Sequence, residues 1–288
     1  MTRESSIIEL GQWWSGPAGR YLLAWEQARL DRMVNDLFGF HALQLGLPQL
    51  EALRANRMPH RWLAADSTVM AEAGADLAVP LPPVDEALST LLPLDPQAPP
   101  GCALLCDFDA LPFPAQSLDL VVMPHALELA RDPHDTLREV ERVLRPEGRV
   151  LIIGFNPASL WGVRQRWGHL RRGLGLGGRL VLPRSGEFIG PGRVRDWLRL
   201  LGFEVESARF GCWRPPLASE RWLERWAWTE ALGQRLWPVL GALYAVQAVK
   251  RVRGMRLVGM ARQRQKRAAT APAVVANRSE LEPATEEA

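Results

Sequence analysis

Apolar residues recur at three- and four-residue spacing from Pro17 to Phe38. Tyr21, Leu22, Trp25, Ala28, Leu30, Met33 and Leu37 mark the repeat, with Glu26, Arg29, Asp31 and Arg32 between them. The pattern predicts an amphipathic helix, either packed on a sheet or acting as a lid over a cleft. The period then changes. Phe40 to Gly46, Arg61 to Ala65, Gly101 to Cys106, Leu118 to Met123 and Arg149 to Phe155 are short apolar runs bounded by turn residues, as strands buried on both faces should be. Between them, Gln49 to Arg57 is expected to be helical behind Pro48. Asp132-Pro133 opens a helix with a capping carboxylate and a proline in its first turn, and Leu137, Val140, Val143 and Leu144 form its inward face.

Beyond the fifth strand, the pattern predicts a helix over Arg193 to Leu201, a strand over Phe203 to Ala208, a helix over Glu220 to Trp237 and a last strand over Tyr244 to Val252. Val79 to Pro100 carries seven prolines and reads as an irregular connection with one short helix at Val84 to Leu92. The chain thus divides into an N-terminal helical extension or lid (1–37), an α/β domain (38–253) and a tail (254–288). The expected fold is α/β and Rossmann-like: a doubly wound, mostly parallel sheet with helices on both faces and an antiparallel edge strand.

Such sheets bind ligands beyond the carboxyl ends of their strands, where the strand order reverses. The residues at those ends are Gly46 after the first strand, Asp66 after the second, Asp107-Phe108 after the third, His125 after the fourth and Asn156 after the fifth. His125 is a candidate base near neutral pH, or else a packing residue. Asn156 either orients an acceptor or caps its own loop.

The run Asp107-x-x-x-Leu111-Pro112-Phe113, followed by Ser117-Leu118-Asp119-Leu120-Val121-Val122 and by Arg145-Pro146-Glu147-Gly148-Arg149-Val150-Leu151, resembles the back half of class I S-adenosylmethionine-dependent methyltransferases of the "methyltransferase type 11" kind. Gly154 to Gly162 resembles a proteobacterial subgroup of that family with a degenerate glycine loop. The resemblance implies S-adenosyl-L-methionine as cofactor. Asp107 and Phe108 would hold adenine, Asp66 the ribose hydroxyls, and Gly46 the methionine part. In the family, an acidic residue precedes three glycines at alternate positions. Here the acidic position is Gln44, only Gly46 remains, and Pro48 and Leu50 replace the other two glycines. That departure motivates an alternative: a non-catalytic binding or scaffold protein on the same fold.

Composition narrows this only slightly. The chain has 288 residues, 47% of them hydrophobic and 23% charged, with a net charge of +3, which suits a globular protein rather than a dedicated nucleic-acid binder. Cys102, Cys106 and Cys212 show no metal-ligand spacing, so no metal is expected and the thiols read as reduced. With no apolar leader segment, the expected location is the cytoplasm. Trp213, Trp222, Trp226, Trp228 and Trp237 read as helix packing, or as a wall around an apolar acceptor. Lys250 to Arg267 is basic; the run is either solvated or contacts nucleic acid or an anionic membrane. A small-molecule methyl acceptor is favoured.

Overall fold

The computed structural model describes residues 13–66, 102–175, 188–217 and 219–251. The short helix expected at 84–92 and the tail from 254 lie outside them. In chain order the elements are α1 (Pro17–Val34), β1 (His41–Leu45), β2 (His60–Asp66), β3 (Cys102–Cys106), β4 (Leu118–Pro124), α2 (Ala126–Leu129), α3 (Pro133–Val143), β5 (Leu144–Phe155), α4 (Leu160–Gly173), α5 (Pro191–Leu200), β6 (Phe203–Gly211), α6 (Glu220–Arg225), α7 (Trp228–Leu236), a 3-10 turn (Pro238–Leu240) and β7 (Leu243–Lys250).

The strands form one seven-stranded sheet in the order β3-β2-β1-β4-β5-β7-β6. β1 to β5 are mutually parallel; β7 runs antiparallel to both β5 and β6. Side chains alternate between the two faces, so each inner strand feeds two cores. Leu120, Val122, Leu151 and Ile153 join Leu22, Leu30 and Val34 of α1 on one face. Val121, Met123, Val150 and Ile152 join Leu137, Val140 and Val194 of α3 and α5 on the other. This is why β4 and β5 lack a polar face. Asp119 fixes the start of β1: its carboxylate accepts from the N–H groups of Phe40 and His41 at 2.8 and 2.9 Å.

Most expected elements are present, with three corrections. The segment after β1 forms turns rather than a helix over Gln49 to Arg57. The long helix expected from Glu220 to Trp237 is broken into α6 and α7. Helix α4 was not foreseen, because the face it buries is made of Trp161, Gly162, Gln165 and Gly168 and carries no apolar repeat.

Helix α1 is locked to the far end of the sheet at Gly211. A Cβ there would lie 1.9 Å from the Trp25 ring. Gly211→Ala is therefore expected to push Trp25 out of its seat and to destabilise the protein by about 2–3 kcal/mol. Chemical denaturation reads this directly, and an unchanged midpoint would mean that α1 tolerates displacement there.

Candidate functional site

Strand order reverses between β1 and β4, so the ends of these two strands define the expected ligand crevice. Gly46 ends β1 with φ of +75°, and Leu47 follows at +45°. The loop then folds onto Gln44, which is buried. The Gln44 amide nitrogen donates to the carbonyls of Gly46, Leu47 and Leu50 at 3.1, 3.1 and 2.7 Å. Its side-chain oxygen accepts from Ala52 N–H at 2.9 Å. One side chain thus organises the whole turn that replaces the expected helix. The Phe108 ring and the Ala126 methyl flank Gly46: a Cβ there would meet them in ordinary van der Waals contact, at 3.6 and 3.9 Å. Phe108 is itself buried in the core.

Asp66 and Asp107 sit one strand apart. Asp66 pairs in register with Cys106, the residue before Asp107. Both acids line one cleft with Phe108, Asp109, Arg131, Asp132 and Thr136. Of the residues expected to hold a cofactor, the structure brings Asp66, Asp107 and Phe108 together. Gly46 lies near the Phe108 ring, which a Cβ on Gly46 would meet at 3.6 Å.

His125 ends β4 in the left-handed region, at φ of +55°, a conformation that a side chain larger than glycine or asparagine seldom adopts. Its ring is sealed between two carboxylates. Nε2 lies 2.9 Å from Glu26 of α1, and Nδ1 lies 2.8 Å from Glu128 of α2. Trp14 and Phe155 close over the ring, with centroids 5.2 and 4.4 Å away. Burial pulls the imidazole pKa down, but the charges and hydrogen bonds of Glu26 and Glu128 outweigh it and hold the ring at about 10. At neutral pH it is an imidazolium with no lone pair to accept a proton, so in this arrangement His125 is not the base that its position suggested. Glu128 also accepts from Phe155 N–H at 2.5 Å. Two buried polar atoms of this network, Glu26 Oε2 and Trp14 Nε1, have no hydrogen-bond partner among the described residues.

Asn156, at the end of β5, is buried. Its amide donates to Val239 and Gly241 carbonyls at 2.8 and 2.9 Å, and its oxygen accepts from Ala158 N–H. This is loop-holding work, so Asn156 reaches an acceptor only if that loop opens. The tryptophans expected as packing are mostly not core: Trp222, Trp228 and Trp237 are more than half exposed. Among the described residues no cluster of metal-ligating side chains occurs and no helix is long and apolar enough to cross a membrane.

The sequence pattern sets Glu26 between the apolar positions of α1 and gives it no role, yet Glu26 occupies the buried row Ala18, Leu22, Glu26, Leu30, Val34. That four-residue spacing was legible: a carboxylate within an inward stripe demands a buried partner.

Residues 83–152 match a family described as a methyltransferase domain. An uncharacterized Escherichia coli K12 protein, YafS, is 39% identical over 101 residues, covering 35% of this chain and 39% of the relative. Malonyl-[acyl-carrier protein] O-methyltransferase of Halorhodospira halophila is 41% identical over 68 residues, covering 24% of this chain and 23% of the relative. The chain therefore spans well under half the length of these curated relatives. Its fold is shared with an S-adenosylmethionine-dependent methyltransferase of Thermotoga maritima, at a TM-score of 0.52 and 14% identity, covering 86% of this chain and 97% of the other. Over residues 83–152 the chain is thus similar to a methyltransferase domain, and over most of its length it shares the fold of an S-adenosylmethionine-dependent methyltransferase.

Proposed function

We propose that the protein binds S-adenosyl-L-methionine and transfers its methyl group to a small-molecule acceptor. The observation that carries this reading is the pair Asp66 and Asp107, at the ends of neighbouring parallel strands in one cleft. A carboxylate accepts well from ribose hydroxyls and from an exocyclic amine, so the two acids suit the adenosine half of the cofactor.

When bound, the cofactor supplies a methyl group already activated on a sulfonium sulfur. The protein's part is alignment and the exclusion of water. Trp14, Phe155 and α1 keep the region around His125 dry. If Glu26 moves away with α1, His125 loses one of the two carboxylates that hold its proton and becomes a weaker acid-base pair with Glu128 alone. α1 packs on the sheet through Leu22, Leu30 and Val34 and covers this region through the Glu26–His125 pair.

A second reading is favoured by the turn after β1, which is held by the Gln44 side chain and not by the glycines that the family resemblance expects. On that reading the protein is a non-catalytic binding module. Calorimetric titration with S-adenosylmethionine and S-adenosylhomocysteine separates the two. One-to-one binding that Asp107→Ala weakens at least about tenfold is the expected result, since a lost charge-assisted hydrogen bond costs roughly 1.5–3 kcal/mol. Absence of binding by folded protein would leave only the second reading. The acceptor is then sought by methyl transfer into cell extract, with Asp107→Ala as the blank.

A further inference from the structure

Helix α4 is inverted. Its glycines and glutamine face inward with Trp161, while Leu160, Val163, Trp167, Leu170 and Leu174 are 50–66% exposed. Their spacing of three, four, three and four residues places them on one stripe. The inversion is built in. Ser159 caps the helix by accepting from Gly162 N–H at 3.1 Å, and Gly162 sits so close to Pro157 that a Cβ would lie 2.5 Å from its carbonyl oxygen. Turning a larger residue inward is sterically closed. A water-facing helix gains nothing from five large apolar side chains on its outer stripe.

The surroundings state what covers it. Arg164, Arg166 and Arg171 flank the stripe, and no Asp or Glu occurs from Arg149 to Gly186. A second set of apolar side chains is also exposed. Trp222, Trp228, Trp237 and Val239 of α6, α7 and the 3-10 turn are 53–58% exposed. Asn156 joins the two surfaces: its amide donates to Val239 carbonyl at 2.8 Å, and its own carbonyl accepts from the Ser159 hydroxyl that caps α4, at 2.6 Å. Leucines and valine inserted among acyl chains, tryptophans at headgroup depth and arginines reaching anionic headgroups form a consistent set. Self-association through this stripe would instead bring two arginine rows together. Nucleic-acid phosphates would satisfy the arginines but leave the apolar stripe in water.

We propose that this face, with α4 lying in the interface plane, docks the protein on an anionic lipid surface. The site is separate from the cleft at Asp66 and Asp107 and rests on no part of the reading given for it.

The test uses the full chain and flotation with phosphatidylcholine vesicles, alone or with about 30% phosphatidylglycerol, at low and high salt. The expected result is retention on the anionic vesicles, reduced by salt and weakened about tenfold or more by Trp167→Glu/Leu170→Glu. Circular dichroism should show this variant folded, because both positions are exposed. Failure of the wild-type chain to float with anionic vesicles at low salt overturns the proposal. So does equal flotation of the double variant, which would assign lipid contact to residues outside this face. Sedimentation gives the remaining outcome: a dimer that the double variant splits, with no lipid binding, would show that a second copy covers the stripe.

Discussion

Glu128→Ala should unfold the protein more readily than any conservative core substitution, at a cost of about 3–5 kcal/mol. Glu128 is the one group that touches both the imidazolium of His125 and the N–H of Phe155, at 2.8 and 2.5 Å. Deleting it leaves a buried cation with Glu26 alone and strands a buried backbone donor. Its neighbours cannot fill in: Gly154 is packed so tightly that a Cβ would lie 2.5 Å from the Tyr244 hydroxyl and 3.0 Å from Glu128 itself. Urea denaturation at pH 7 measures the loss. A change under about 1 kcal/mol would mean that water enters the network in solution and that the site is wetter than its burial indicates.

The same network fixes a pH dependence whose sign can be worked out. The His125 pKa is raised on folding, from 6.5 to about 10, by Glu26 and Glu128 against the opposing effect of burial. A raised pKa contributes stability that is fully present below 6.5 and is lost as pH climbs through 10. Stability should therefore fall from pH 7 upward, with a slope of at most about 1.4 kcal/mol per unit for this one proton. Burial also pushes the Cys212 thiol well above its ordinary 9.0, so alkaline loss beyond that point has a second source. The window from pH 7 to 9 belongs to His125. Glu128→Ala should flatten the curve in that window; a wild-type midpoint that does not move there would show that the ring is neutral in the folded protein.

The strands were legible because burial on two faces forces unbroken apolar runs, and Leu118 to Met123 shows this plainly. The switch point followed from strand order, and with it the positions of Gly46 and His125. The state of His125 was not legible, since one of its two partners is 99 residues away, on α1. Nor was α4: its buried face is glycine, glutamine and one tryptophan, so the outward stripe carried the apolar signal.

Gln44→Glu puts at this position the acid that the family resemblance expects there, and it should be among the most damaging single changes. The amide nitrogen of Gln44 faces the carbonyl oxygens of Gly46, Leu47 and Leu50, the nearest at 2.7 Å. A carboxylate oxygen in that place meets three acceptors, donates to none, and is buried where water cannot relieve it. A cost of about 3 kcal/mol or more is expected near neutral pH. Lowering the pH should recover part of it, because a protonated carboxyl regains one donor. Gln44→Ala should cost less, about 1–3 kcal/mol, since it strands the same carbonyls without adding a charge. That order, glutamate worse than alanine with partial rescue by acid, identifies Gln44 as the organiser of the turn. The reverse order would mean that the loop rearranges around a carboxylate, and that the turn is less firmly held than the Gln44 hydrogen bonds imply.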